Sequence, residues 1–311
     1  MMARRPRLRG RRVRVPAAVM RIGVRQLGGR CLDSAQPWRV QRARLEQLDK
    51  AALVPRGTAV AERAVGGVPA KTVSVHRHDP QPTVIHFHGG GYCIGSARTA
   101  MSWAAHLSAR TGCQVVLPEY RLAPEHPHPA ALEDARAVMT ALSAEAGPGS
   151  LVLSGDSAGG GLALALVLSM RDGGQELPAG CVLLSPWLDL GRDRRATPGL
   201  VRKDVLLNPG WLEACARAYA DPSAWADALV SPLCATHCGL PPLLIQAGSD
   251  ELLAPDAEEL AASAAAAGVD VTYSRWPRMW HDFMLHPGLV ASAESALDQA
   301  AWFVRRVTSS S

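Results

Sequence analysis

A chain of 311 residues, 48% of them hydrophobic, can bury a sizeable core as one large α/β domain with a lid or as two small domains. Its longest nearly unbroken apolar run, 159–170, ends at Arg171 and falls short of the roughly 18 residues that a membrane span needs. The net charge of +5 comes from one end: ten of the 33 basic residues lie in the first 30 positions, and the other 23 face 28 acidic residues, so the body of the chain does not read as a polyanion binder.

The first 30 residues form a basic arm (Arg4, Arg5, Arg7, Arg9, Arg11, Arg12, Arg14, Arg21, Arg25, Arg30). Such an arm either touches anionic lipid or nucleic acid or is disordered, and Met20 offers an alternative start. Arg14 and Arg21 cut its apolar stretch too short for an export signal, which makes the cytoplasm the expected compartment. Seven cysteines scattered at 31, 93, 113, 181, 215, 234 and 238 form no disulfide framework and agree with that compartment. Cys234-Ala-Thr-His-Cys238 lacks the second ligand cluster that a metal clip needs.

Beyond the arm, short β-branched runs predict strands at 72–76, 83–88, 114–117, 151–154, 181–185, 243–247 and 271–275. Helices are predicted at 96–110, 129–145, 158–171, 255–267 and 289–307. Strands alternating with helices of that length imply βαβ units around a mostly parallel sheet. Two stretches break the alternation, and both are too long for sheet connections. Residues 1–60 read as the basic arm plus the N-terminal part of a cap. Residues 187–230, with Trp187, Trp211 and Trp225, read as a cap insertion over the carboxyl ends of the strands. The core is then expected in two parts, 61–186 and 231–311.

Chemistry-bearing motifs fall at the strand ends. His88-Gly89-Gly90-Gly91 follows the strand 83–88, and its glycines leave backbone N–H groups open to a developing oxyanion; the N–H groups of Gly89, Gly90 and Ala158 are the expected donors. No phosphate-cradling pattern accompanies it. Gly155-Asp-Ser157-Ala-Gly159 sits between a buried strand and a helix, which presents Ser157 on a sharp corner at a helix N-terminus. A serine is a weak nucleophile without a base and a group to orient that base. Asp250 ends the strand-like run from Leu243, whereas its rival Asp256 follows Pro255 at a helix start and reads as structural. His281, in the loop between the last strand and the last helix, is the expected base, in preference to His286 nearer that helix. Asp156 and Glu125 are expected to brace the elbow and the glycine loop by hydrogen bonds, with His88 and Gly91 supporting the same loop. Cys93 reads as packing.

His88-Gly-Gly-Gly-Tyr92, Tyr120-Arg-Leu-Ala-Pro-Glu-His126, Gly155-Asp-Ser-Ala-Gly-Gly160 and Ser185-Pro-Trp-Leu-Asp189 together resemble the hormone-sensitive-lipase-like branch (family IV) of the α/β-hydrolases, over roughly residues 70–305. Within it the chain looks similar to bacterial short-chain esterases, monoterpene lactone hydrolases and acetyl-hydrolases. The resemblance implies an α/β-hydrolase fold with a mostly parallel central sheet, flanking helices and a helical cap. It also implies a carboxylic ester hydrolase whose triad, in the branch's chain order, is Ser157, Asp250 and His281. The expected substrate is a short- to medium-chain ester or a small lactone, cleaved through an acyl-enzyme without cofactor or metal. Amide or N-acetyl hydrolysis is the alternative, and a non-catalytic ligand receptor is the third reading. No nucleic-acid partner and no stable membrane anchor are expected, and a homodimer is left open. Four positions depart from the branch: Glu251 stands where Pro is usual after the aspartate, Trp280 and Asp282 flank the histidine in place of Pro and Gly, and Arg278 replaces a glycine.

Overall fold

The computed structural model describes residues 14–49, 53–75 and 82–309. The first part of the basic arm, residues 1–13, lies outside them, as does His76 at the end of the first predicted strand. Eight strands form one sheet among the described residues: β1 (Ala59–Val65), β2 (Val68–Ser74), β3 (Thr83–Phe87), β4 (Gln114–Pro118), β5 (Leu151–Asp156), β6 (Gly180–Leu184), β7 (Leu243–Gly248) and β8 (Val271–Trp276). Their order is β1-β2-β4-β3-β5-β6-β7-β8. β2 runs antiparallel to both of its neighbours and every other pair is parallel.

The α-helices are α1 (Ala17–Gly23), α2 (Trp38–Asp49), α3 (Met101–Thr111), α4 (Ala130–Ala146), α5 (Ala158–Asp172), α6 (Pro198–Lys203), α7 (Pro209–Tyr219), α8 (Ala254–Ala266) and α9 (Ala291–Thr308). Burial assigns them to layers. α3 and α9 cover one face with Trp103, Leu107, Leu297 and Phe303, while α4, α5 and α8 cover the other with Met139, Leu164 and Leu260. Central strands covered on both faces are buried at every position, as in β3, β5, β6 and β7. That is why they read from sequence as unbroken apolar runs. None of the described helices is long and apolar enough to cross a membrane.

Two differences from the sequence reading have physical causes. β1 was not anticipated: six of its seven residues are exposed, so no apolar run marks it. Its signal was the turn, because Val65 pairs with Val68 across Gly66-Gly67, both at positive φ (59° and 84°), the dipeptide that a tight hairpin requires. α3 begins at Met101 and not at 96, because Ser96 and Thr99 close a local turn first, with Thr99 Oγ1 donating to the Ser96 carbonyl at 2.7 Å.

The register sets the stage for chemistry. Phe87 pairs with Gly155, Asp156 with Leu184 and Leu184 with Gln246, so the carboxyl ends of β3, β5, β6 and β7 lie side by side. The segments before β1 and after β6 meet each other and the core: Trp211 Nε1 on α7 donates to Gln41 Oε1 on α2 at 2.8 Å, and Asn208 Nδ2 donates to the Leu32 carbonyl at 3.3 Å.

Candidate active site

The corner between β5 and α5 is tight. A Cβ on Gly155 would stand 2.2 Å from the carbonyl oxygen of Gly159, and one on Gly159 would stand 2.0 Å from that of Phe87, so both positions exclude every other residue. Between them Ser157 adopts φ 52° and ψ −121°, a backbone conformation that costs a non-glycine residue roughly 1–3 kcal/mol and persists only where the surroundings enforce it. They do so here. Ser157 N–H donates to the Leu184 carbonyl at 2.9 Å, and the Ser157 carbonyl accepts from Trp187 and Gly160 at 2.9 and 3.0 Å.

Behind the elbow lies a buried polar relay. Gly89 N–H donates to Asp156 Oδ2 at 2.9 Å, Asp156 Oδ1 stands 3.0 Å from His86 Nε2, and His86 Nδ1 stands 3.0 Å from Ser154 Oγ. A His86 ring that donates from Nε2 to Asp156 and accepts the Ser154 hydroxyl at Nδ1 satisfies all three groups. Asp156 thus braces the glycine loop, and it does so by taking the Gly89 N–H. That donor is therefore not open to a substrate, contrary to the assignment made from sequence. The N–H groups of Gly90, Gly91 and Ala158 have no acceptor among the described residues. His88 anchors the same loop, its ring stacked 4.3 Å from Tyr120 and its Nδ1 2.8 Å from the Gly89 carbonyl. Burial pushes its imidazole pKa down and keeps it neutral.

Glu125 does not touch the loop. Its exposed carboxylate pairs with Arg42 at 3.0 and 2.7 Å, which holds its pKa below the usual carboxylate range. It is Arg42, on α2, that donates to the Cys93 and Ala123 carbonyls, both at 2.8 Å. Cys93 is fully buried against Cys215 of α7.

At the end of β7 the two adjacent carboxylates part company. Asp250 bonds Arg21 of α1 at 3.0 Å and accepts from Ser249 Oγ at 3.0 Å. Glu251, wholly buried, stands 3.1 Å from His281 Nδ1, accepts the Ser185 hydroxyl at 2.8 Å on the same oxygen, and accepts Gly248 N–H at 3.1 Å on the other. The structure therefore brings Glu251, and not Asp250, to the histidine. Burial pushes the Glu251 carboxyl up, with His281 and Ser185 pulling it back. Asp256 is locked to Arg194 at 2.6 and 2.8 Å and accepts the N–H groups of Leu188 and Asp189. The ring of His286 has no carboxylate partner among the described residues.

His281 is buried, and its Nε2 stands 3.0 Å from Asp282 Oδ2. Burial by itself would depress this imidazole, but the carboxylates of Asp282 and Glu251 outweigh it and hold its pKa well above the ordinary range. Sequence reasoning gave no role to Glu251, His86 or Asp282. The first and last were visible as departures at 251 and 282, and His86 as a lone polar residue inside a buried strand. Trp187 and Trp225 line a surface cleft with Arg192, Arg194, Arg195 and Leu212, and none of Ser157, Glu251 or His281 borders it.

A family model for the α/β-hydrolase fold matches residues 84–285. An acetyl-hydrolase of Streptomyces hygroscopicus is 37% identical over 256 residues, 82% of this chain and 84% of that protein. An esterase of Acinetobacter venetianus is 34% identical over 263 residues, 83% and 86% of the two chains. Among solved structures, an esterase from the bacterial hormone-sensitive lipase family matches with a TM-score of 0.87 at 32% identity, over 95% of this chain and 99% of that one. A hormone-sensitive lipase from a metagenome library matches with a TM-score of 0.89 at 31% identity, over 95% and 99%.

Proposed function

The chain belongs to the hormone-sensitive-lipase-like family of α/β-hydrolases and is a carboxylic ester hydrolase, and on that premise we propose that it works as a serine hydrolase through an acyl-enzyme. Ser157 Oγ attacks the ester carbonyl carbon while its proton passes to His281 Nε2, and Glu251 at Nδ1 fixes the tautomer and steadies the imidazolium. The oxyanion of the tetrahedral intermediate takes hydrogen bonds from the backbone N–H groups of Ala158 and of Gly90 and Gly91, each worth roughly 3–4 kcal/mol. The intermediate collapses with loss of the alcohol, which leaves with the proton returned by His281. Water then attacks the acyl-enzyme, with His281 again taking a proton and handing it to Ser157 as the acid departs.

The observation that carries this reading is the enforced backbone of Ser157, φ 52°, at the start of α5, and the buried Glu251–His281 pair after β7 and β8 supports it. A strained backbone that its surroundings enforce supports a functional role for the residue that carries it. The acyl group is proposed to be short, as suits a likeness to an acetyl-hydrolase. The segments 14–49 and 187–230 are proposed to act together as the cap, supported by the bond from Trp211 to Gln41.

Ser157→Ala is expected to lower kcat/KM for p-nitrophenyl acetate by about 10³-fold or more with an unchanged circular dichroism spectrum. Wild-type turnover in that variant would end the reading. A panel of p-nitrophenyl esters of increasing chain length, a cyclic lactone and an N-acetyl substrate, all against the same control, sorts esters from lactones and amides.

A further inference from the structure

Ester hydrolysis by Ser157, His281 and Glu251 has no use for Asp282, yet its carboxylate is the group that meets the reacting nitrogen. Asp282 sits at φ 57°, and its N–H donates at 3.2 Å to the Ser185 hydroxyl that also binds Glu251. This backbone aims Oδ2 at His281 Nε2, 3.0 Å away. Its other oxygen, Oδ1, is buried with no hydrogen-bond partner among the described residues, so the Nε2 contact is the bond that holds the carboxylate in place. The other acidic groups around the imidazole are Glu251 after β7 and Asp204 after α6, and Asp156 at the end of β5 acts on the Asp282 carboxyl. Asp250 is turned to Arg21, and Arg278 is exposed.

Resting on the serine-hydrolase reading above, we propose that Asp282 is a positioning residue that ties up Nε2 of His281 in the resting enzyme and so sets the pH at which the base becomes available to Ser157. With a proton on Nε2 the contact is an N–H···O⁻ bond, and the nitrogen can neither accept from Ser157 nor act as a base. When that proton passes to solvent, the same contact sets a lone pair against a carboxylate. The contact turns repulsive, Asp282 rotates off, and the Ser157 hydroxyl donates to the bare nitrogen. One deprotonation thus creates the base and removes its competitor. Burial, reinforced by Asp156 and Glu251 and opposed by His281, pushes the Asp282 carboxyl up to about 7, so the pair releases its protons as a unit and not as two independent groups. The sign is fixed: the pair favours the protonated imidazole, so activity emerges later as pH rises than it would for His281 beside Glu251 alone.

The test uses Asp282→Asn, which removes the charge while tolerating the left-handed backbone, and Asp282→Gly, which tolerates it equally. Profiles of kcat/KM for p-nitrophenyl acetate from about pH 5 to about pH 10 are compared with wild type, with Ser157→Ala as the background. In both variants the acid limb should move down by at least about one pH unit, which is about tenfold in kcat/KM on that limb. The alkaline plateau, where the wild-type pair is already open, should change far less. In a Ser157→Ala background, which needs no turnover, the His281 ring followed by ¹⁵N NMR should titrate correspondingly lower with Asn at 282. An acid limb and a His281 titration that stay in place, or a plateau abolished in both variants while they remain folded, overturn the proposal. If Ser157→Ala is inactive, an unmoved limb overturns this proposal alone; an active Ser157→Ala overturns the reading beneath it.

Discussion

On the serine side of the site, between β3 and β5, position is set by backbone. Gly155 and Gly159 admit no Cβ, Ser157 is held at φ 52° by bonds to its own N–H and carbonyl, and the Gly89 N–H is fixed by Asp156. On the histidine side, beyond β7 and β8, position is set by which side chain turns which way. Asp250 and Glu251 are neighbours, but one reaches Arg21 and the other reaches His281, and the imidazole itself is held between Glu251 and Asp282. A backbone-built half leaves little room for variation in geometry. A side-chain-built half can exchange its carboxylates among adjacent positions, and its behaviour depends on their charge.

The largest expected effect tests that division. Glu251→Gln should lower kcat on the order of 10²–10⁴-fold, because the amide can present an N–H to Nδ1 and so favour the wrong tautomer. Asp250→Asn should leave kcat/KM within about threefold, since it loses only a partly exposed pair with Arg21. Steady-state kinetics on the two variants side by side decides the matter. A collapse in Asp250→Asn with Glu251→Gln near wild type would reverse the assignment.

The same division explains what the sequence could tell. The elbow, the glycine loop and the buried parallel strands behind them are legible because glycine spacing and buried apolar runs are direct imprints of backbone geometry. His281 is legible because its loop has one good histidine and a strand before it. The carboxylate that meets His281 is not: Asp250 and Glu251 share the strand end, and Asp250 is turned to Arg21 of α1. Gly89 was misjudged for a related reason. An N–H in a glycine loop looks open until the carboxylate of Asp156, 67 residues on, is seen to occupy it. β1 escaped because an exposed edge strand carries no apolar signature.

A second, smaller effect probes the backbone half through its support. Asp156→Ala would strand the Gly89 N–H and His86 Nε2 in the interior, and each unsatisfied group costs about 1–3 kcal/mol. A loss of about 2–5 kcal/mol in urea unfolding is expected. Activity should fall with it, because the glycine loop loses the bond that fixes its first N–H. If Asp156→Ala kept full stability, the relay through His86 to Ser154 would not be what rigidifies this half.

The smallest effect separates two residues that act at the rim of the loop. Glu125 is exposed and its carboxylate pairs with Arg42, and exposed ion pairs contribute about 0–1 kcal/mol. Arg42 meets two main-chain carbonyls, those of Cys93 and Ala123, at the end of the glycine loop. Glu125→Gln should therefore change thermal stability by less than about 1 kcal/mol and leave kcat/KM within about twofold. Arg42→Ala removes two charge-assisted bonds to carbonyls and should cost about 1–3 kcal/mol. Its kinetic signature should be a fall in kcat with little change in KM, because the loop it steadies carries the donors proposed to meet the oxyanion. If the two substitutions proved equal, Glu125 would be setting the position of Arg42, and the brace on the loop would begin at the carboxylate and not at the guanidinium.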